Sequence, residues 1–349
     1  MNIEILEDSE SYSLMKVLDS PEVYRLTMSD SVGFSRNSYI FRSDKDIMII
    51  DPPFMRLSGC KVLEKIWIEL EIERYSLHVF CTHFHVADFK GRLAALPKDT
   101  HVYLSGYEFV PEDIDRQRGY QNMRFRKEGY PKQLLDIWNG PKIEKENMED
   151  VPLSAHQSDG NIHVTMVYDG CPIRMGELEL TCHYTPGHTI GHMCLGLKEK
   201  GILFSGDTVL LDDLPFVGIW KGKKCALDEL MISLEKLDKE NYHMIFPAHG
   251  NYELQGKQRV KEMMNRYYFR ILEMYRLVYD HPGENAYQLS HRFCHCHMSW
   301  DAASPKKQWY AMGGTLAYLI YLRERKYVCS SRSENAMINV PGKRKITDY

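Results

Sequence analysis

The chain of 349 residues has no apolar run near the roughly 20 residues that a membrane-spanning helix needs. It also lacks a strong excess of one charge, because 44 Lys and Arg against 48 Asp and Glu give a formal net charge of −4. This balance argues against a membrane partner and disfavours nucleic acid, since neither would be attracted electrostatically. The acidic start of the sequence is unlike the basic start of a secretory signal peptide.

Nine cysteines are scattered along the chain without the spacing of a disulfide framework. An odd, irregular set of this kind predicts reduced thiols in a cytoplasmic protein. The alternating residues 294–297, Cys-His-Cys-His, lack the Cys-x2-Cys spacing of structural zinc sites. We interpret them as packing between two helices.

Apolar runs that end in turn residues predict a mixed α/β protein with one large domain and a smaller C-terminal unit. Strands are expected at 39–42, 46–51, 77–80, 101–104, 162–167, 177–185, 201–205 and 243–246, with helices at 61–72 and 227–237. The division we expect is a catalytic domain over 1–255 and a helical domain over 256–349. Within the first, residues 101–160 are polar, aromatic and helical in character, which is typical of an inserted lid.

The C-terminal unit is predicted to hold helices at 260–279, 286–293 and 306–325, followed by a basic, Ser-rich tail and a possible β-wing. The last helix carries an apolar stripe that begins at Trp309. Such a stripe indicates docking, either onto the main domain or onto the partner in a homodimer.

Six side chains with nitrogen or oxygen donors follow the predicted strands closely. They are His83, His85, Asp88, His188, Asp207 and His249. Because loops at one edge of an α/β sheet form its binding crevice, we expect these residues to meet there. Imidazole and carboxylate ligands in this number predict a zinc-type metal site.

The motifs around these residues resemble those of the metallo-β-lactamase superfamily, in its hydrolase branch of glyoxalase II-like and β-lactamase-like protein 2-like members. They are Thr-His-Phe-His at 82–85, Thr-Pro-Gly-His-Thr-Ile-Gly-His at 185–192, Ser-Gly-Asp-Thr at 205–208 and Pro-Ala-His-Gly at 247–250. The resemblance covers about residues 30 to 255. It implies an αββα sandwich with metals at one edge, and a winged-helix-like C-terminal domain.

The same resemblance implies ligand roles for individual residues. His83, His85 and His188 would hold a first metal, Asp207 would bridge, and Asp88 with His249 would hold a second. Ala87 stands where the family commonly has a carboxylate, and Asp88 stands where it has a histidine. We therefore expect two ions, zinc by default with iron or manganese open, although a mononuclear site remains an alternative. His192 and Asp51 are expected to orient the ligands through contacts on the side away from the metal.

The chemistry predicted is attack of metal-held hydroxide on the carbonyl of a thioester, ester or lactone. Asp88 is the candidate catalytic residue, since its carboxylate could orient the attacking water. Basic residues in the insertion and after Asp207 indicate a small anionic or coenzyme A-linked substrate, and the candidates for binding it are Arg124, Arg126 and Lys223. The alternatives are a metal-dependent nuclease or phosphodiesterase, an iron-dependent redox enzyme of the same fold, and a binding module without activity.

Overall fold

The computed structural model describes residues 4–8, 12–29, 35–53, 57–83, 96–108, 113–140, 162–252, 256–293, 300–333 and 336–346. The strands are β1 Glu4–Asp8, β2 Tyr12–Asp19, β3 Glu22–Ser29, β4 Ser35–Ser43, β5 Asp46–Ile50, β6 Ser76–Phe80, β7 His101–Ser105, β8 His163–Val167, β9 Pro172–Met175, β10 Leu178–Tyr184, β11 Met193–Leu197, β12 Ile202–Gly206, β13 Met244–Pro247, β14 Val328–Arg332 and β15 Met337–Pro341. The helices are α1 Leu57–Glu69, α2 Asp113–Lys127, α3 Lys132–Ile137, α4 Ala226–Lys239, α5 Lys257–Asp280, α6 Ala286–Arg292 and α7 Pro305–Glu324.

Two large sheets form the centre of the protein. The first runs β1 to β8 in chain order, antiparallel up to β5 and parallel from β5 to β8. The second has the order β13-β12-β11-β10-β9, with β12 and β13 parallel and the other neighbours antiparallel. As a result, β10, β12 and β13 run in one direction and end at the same edge.

Alternating side chains build the layers. In β5, Met48 and Ile50 enter the core between the two sheets, whereas Ile47 and Ile49 face the core beneath α1. Successive side chains of a strand point to opposite faces, so an apolar run of this kind is buried on both sides. Helix α4 and the C-terminal helices cover the outer face of the second sheet through a third apolar cluster. The predicted αββα sandwich is confirmed.

The predicted insertion does contain helices, α2 and α3, and α2 is fastened to the C-terminal helices. Trp309 of α7 donates its indole N–H to the Asn122 side chain at 2.8 Å. The buried carboxylate of Glu128, directly after α2, accepts two hydrogen bonds from the Arg323 guanidinium, at 2.6 and 2.8 Å. Residues 141–161 lie outside the described part, and the lid role stays a prediction.

The C-terminal region has the predicted order of three helices followed by a β-hairpin, β14–β15, in what the sequence suggested was a tail. Its apolar residues join those of α4 and the insertion in a single cluster. The last helix therefore docks onto the main body, the first of the two expected alternatives. The boundary at residue 255 and the winged-helix description remain predictions.

Several strands were missed from the sequence, namely β1, β2, β3, β9 and β11. The Cys-His alternation at 294–297 lies outside the described residues, so its predicted packing is untested. Among the helices described, none combines the length and apolar character needed to cross a bilayer.

Candidate metal centre

Four of the predicted ligands meet at the edge where strands from both sheets end. His83 follows β6 of the first sheet, whereas His188, Asp207 and His249 follow β10, β12 and β13 of the second. The Met193 N–H donates to the Thr82 carbonyl at 2.8 Å and joins the two sheets beside His83. The predicted convergence of these four residues is therefore what the structure shows.

One carboxylate oxygen lies at the centre of the group. Oδ2 of Asp207 is 3.7 Å from Nε2 of His83, 3.3 Å from Nε2 of His188 and 3.5 Å from Nε2 of His249. The ligand atoms of His83, His188 and Asp207 all lie within 4.8 Å of one another, whereas His249 stands outside this mutual set. Asp207 thus lies between the His83–His188 pair and His249, and its role as a bridging ligand stays a prediction.

The protein fixes which nitrogen of His188 and His249 carries the proton. Nδ1 of His188 is 2.9 Å from the Phe216 carbonyl, and Nδ1 of His249 is 2.8 Å from the Ser35 carbonyl. A carbonyl oxygen only accepts, so each Nδ1 is the donor and each Nε2 keeps its lone pair. Both lone pairs are on the nitrogen that faces Asp207, which is the arrangement metal-binding histidines require.

His83 is oriented by a relay through Thr82, which is buried, and Asp51, which is partly buried. Thr82 donates its hydroxyl to Oδ2 of Asp51 at 2.7 Å, so its oxygen accepts from Nδ1 of His83 at 2.8 Å. The Thr82 N–H also donates to Asp51 Oδ1 at 2.7 Å. Burial raises the pKa of the Asp51 carboxyl to about 7, although both hydrogen bonds from Thr82 favour its charged form. Asp51 has the supporting position that the sequence predicted.

His192 is fully buried and supports Asp207. The Asp207 N–H donates to Nε2 of His192 at 2.9 Å, so that nitrogen has no lone pair left for a metal. Nδ1 of His192 then carries the proton and donates to the Thr208 hydroxyl at 2.9 Å. The ring therefore holds the turn after β12 in place, and its predicted supporting role is confirmed.

Two glycines allow the chain to turn close to these ligands. Gly206 has φ of 51°, and an added Cβ would lie 2.5 Å from Nε2 of His192 and 2.6 Å from the Thr82 hydroxyl oxygen. Gly187 has φ of 138°, and its added Cβ would lie 2.7 Å from the Leu230 Cα. A side chain at either position would be strained and would displace the ligand beside it.

This donor set fits a divalent metal of the zinc type. Three imidazoles present their Nε2 atoms towards one carboxylate, and a hydrogen bond at Nδ1 orients each ring. Imidazole with a carboxylate suits zinc, and also iron or manganese, so the donor types alone do not select one metal.

Two other predicted ligands, His85 and Asp88, lie outside the described residues. Their roles, including the catalytic role of Asp88 and the oxygen-rich second metal position, therefore stay predictions.

The three predicted substrate-binding residues do not lie together. Arg124 and Lys223 line one groove between α2, the segment after Asp207 and α7. Arg126 is exposed, two residues further along α2, where a helix turns a side chain to the opposite face. Arg126 is therefore not among the residues that line this groove, and the substrate-binding roles of all three residues stay predictions.

Sequence reasoning missed the groups that hold the histidine rings from behind. Ser35 and Phe216 act through backbone carbonyls, which carry no signal of residue type. Thr82 belongs to the Thr-His-Phe-His motif at 82–85. A hydroxyl directly before a candidate ligand is a signal that could have revealed its role.

Comparisons with known proteins agree with this geometry. Residues 123–249 match the family model described as the metallo-beta-lactamase superfamily. The acyl-coenzyme A thioesterase MBLAC2 of Homo sapiens is 33% identical over 106 residues, covering 29% of this chain and 36% of the relative. The atrochrysone carboxyl ACP thioesterase of Aspergillus fumigatus is 34% identical over 100 residues, covering 29% of this chain and 30% of the relative. The matches thus span about a third of the length of these curated relatives.

A solved structure is similar over almost the whole chain. The crystal structure of a beta-lactamase domain protein from Burkholderia ambifaria superposes with a TM-score of 0.74 and 15% sequence identity, covering 97% of this chain and 98% of that one. At this identity the likeness concerns the fold alone. The family match shows that residues 123–249 belong to a metallo-beta-lactamase superfamily domain, and the shared fold agrees with this assignment.

Proposed function

We propose that the protein is a metal-dependent hydrolase that cleaves a thioester at its carbonyl carbon. The observation that carries the proposal is the convergence of three imidazole Nε2 atoms on Oδ2 of Asp207, each ring held in the ligating tautomer. A site for structural support alone would be closed by protein ligands. Here the side chain of His249 is 27% exposed, so the centre is open to solvent on its side.

The described residues divide into ligands and supports. His83, His188 and Asp207 would hold one ion. Asp207 and His249 would contribute to holding a second ion. A divalent ion bound there supplies a Lewis acid for a carbonyl oxygen and lowers the pKa of water towards neutrality. Asp51, Thr82 and His192 keep the ligands in place, so that the centre is organised before substrate arrives.

Thioesters are favoured over other carbonyl substrates by the relatives. Two of them are named as thioesterases, one for acyl-coenzyme A and one for an acyl carrier protein substrate. Both match this chain over a minor part of their length, so the substrate class is a proposal that rests on the site as much as on them. An ester or lactone has the same reacting group and is the next candidate.

The last helix gives a reason to prefer a small substrate over nucleic acid. Helix α7 buries residues around most of its circumference, among them Trp309, Met312 and Leu316. A helix enclosed in this way has no free face to place in a nucleic-acid groove. The alternative of a nuclease therefore finds no support in this element.

The test is a panel of an acyl-coenzyme A thioester, a lactone and a phosphodiester, assayed with protein of defined metal content. We expect thioester hydrolysis that is lost on chelation and restored by zinc. Hydrolysis of the phosphodiester alone would contradict the proposal, and oxygen consumption with bound iron would point to the redox alternative.

Metal analysis of protein purified without added metal tests the expected pair of ions. Two equivalents per chain would support the second position with Asp88 and His249. One equivalent would contradict the dinuclear site and favour the mononuclear alternative.

A further inference from the structure

A cationic groove lies where three parts of the fold meet. Its walls come from α2, from the segment between Asp207 and α4, and from α7. We call it the Arg124 groove. Its lining includes Tyr120, Arg124, Trp220, Lys223 and Lys224.

The charge of the groove is positive. Lys223 pairs with Glu229 at 3.1 Å, and Lys224 pairs with Glu324 at 2.5 Å. Arg124 donates to the Tyr120 hydroxyl at 2.9 Å, and among the described residues it has no carboxylate at ion-pair distance. Three cations against two carboxylates leave one net positive charge, and that charge is on the guanidinium.

Arg124 is also held in a defined orientation. Its guanidinium carbon lies 5.9 Å from the centroid of the Tyr120 ring, and its side chain is half-buried rather than extended into solvent. A guanidinium has five N–H donors, of which the Tyr120 hydroxyl takes one. The remaining donors match the oxygens of a phosphate or carboxylate in a two-point contact.

The groove segment is connected directly to the loop that carries His188. The Phe216 carbonyl accepts from His188, and the Trp220 indole N–H points at the Gly187 carbonyl at 3.5 Å. Lys223 donates to the Tyr184 hydroxyl at 3.2 Å, and that hydroxyl donates to the Ile190 carbonyl at 2.9 Å. A ligand in the groove would thus lie beside the loop that positions a metal ligand.

We propose that the Arg124 groove binds an anionic group on the thiol portion of the substrate, away from the carbonyl that is cleaved. The inference rests on the proposed thioesterase function and deepens it, because it assigns the substrate class as thioesters of a phosphorylated or carboxylated thiol. Arg124 is the residue that contacts the anion directly.

The experiment compares Arg124→Gln with Lys127→Gln, a matched control on the same helix whose side chain is exposed. Binding of three thiols to the purified, metal-loaded full chain is measured by calorimetry: coenzyme A, glutathione and neutral N-acetylcysteamine. We expect coenzyme A or glutathione to bind to the wild type, with about tenfold weaker binding to Arg124→Gln. Lys127→Gln should bind like the wild type, and neither change should affect N-acetylcysteamine binding. Tighter binding of coenzyme A than of glutathione would show that the groove recognises phosphate. Tighter binding of glutathione would show that it recognises carboxylate.

Turnover of the acetyl thioesters of the same thiols separates this proposal from the proposed function. If anionic thioesters are hydrolysed and Arg124→Gln leaves their KM unchanged, the enzyme is a thioesterase and the groove proposal is overturned. If Arg124→Gln weakens binding but no thioester is hydrolysed, the groove stands and the proposed reaction fails. Equal losses in both variants, or no binding of either anionic thiol to the wild type, would also overturn the groove proposal. Thermal unfolding of each variant shows whether a loss comes from the fold.

Discussion

The Thr82 hydroxyl donates to Oδ2 of Asp51 at 2.7 Å, while the Thr82 N–H donates to Oδ1 of the same carboxylate at 2.7 Å. Both oxygens of Asp51 are therefore used to fix one residue. Because the hydroxyl proton is committed to Asp51, the Thr82 oxygen can only accept from His83, which leaves Nε2 of His83 unprotonated towards Asp207. Thr82 and Asp51 are not candidate metal ligands themselves, but together they determine the tautomer of His83, which is one.

Replacing Thr82 by Val should weaken metal binding without removing a ligand. The substitution keeps the size of the side chain but leaves His83 Nδ1 and Asp51 without their shared partner. Loss of such outer hydrogen bonds typically lowers metal affinity 10- to 100-fold. The measurement is zinc titration against a competing chelator. Thr82→Ser restores the hydroxyl and should bind close to wild type, whereas wild-type affinity in Thr82→Val would refute the relay.

Replacing His192 by Phe should destabilise the protein even when no metal is present. The ring accepts the Asp207 N–H at 2.9 Å in a fully buried position, and phenylalanine leaves that donor unsatisfied. A buried unsatisfied group costs roughly 1–3 kcal/mol. Urea unfolding in the presence of chelator measures the loss. The exposed His243 provides the control variant, His243→Phe, and an equal effect in both variants would show that His192 has no special role.

Acid should destabilise the protein partly through His183. Burial lowers the pKa of His183 to about 4, and its Nε2 lies 2.6 Å from the Tyr242 hydroxyl. The unfolded chain, with an ordinary histidine pKa near 6.5, binds more protons between these values, so stability is present above about pH 6.5 and is lost as pH falls towards 4. The contribution is at most roughly 3 kcal/mol, at about 1.4 kcal/mol for each pKa unit.

Urea midpoints at pH 7.0 and 4.5 test this dependence. His183→Gln should show a smaller fall between the two pH values than the wild type, while the exposed His163→Gln should fall as the wild type does. An identical fall in His183→Gln would show that other groups account for the acid sensitivity.

The ion pair of Glu128 and Arg323 should matter for attachment of the insertion. The side chains are 3% and 14% exposed, and Arg323 also donates to the Asn339 side chain at 3.1 Å. Removing one member of a buried pair leaves an uncompensated charge and costs about 3–5 kcal/mol. We expect Arg323→Leu to lower the free energy of unfolding by this order, and Glu128→Leu combined with it to recover part of the loss. Additive losses in the double variant would argue against a direct pairing.

The sequence was sufficient for the central strands because they are continuous apolar runs. In β4, Tyr39 and Phe41 face one core and Ile40 faces the other, and an apolar run of this kind is visible without a structure. The missed β2 is different, since its pairing shifts register between Lys16 and Leu18. A bulge of this kind breaks the two-residue period, so the strand has no clean pattern to detect.

Part of the candidate site could also be predicted from the sequence. The residue types His83, His188, Asp207 and His249 and their positions after strands were enough to predict that they meet. Their tautomers were not predictable, because Ser35 and Phe216 act through carbonyls that every residue possesses. The difference between Arg124 and Arg126 could have been anticipated, since residues two apart on a helix face different sides.

Anomalous diffraction from crystals of zinc-loaded protein tests the central claim most directly, because it locates the metal independently of activity. We predict a peak within bonding distance of Nε2 of His83, Nε2 of His188 and the Asp207 carboxylate. A zinc-loaded crystal with no peak at these atoms, or with its peak at other residues, would contradict the account.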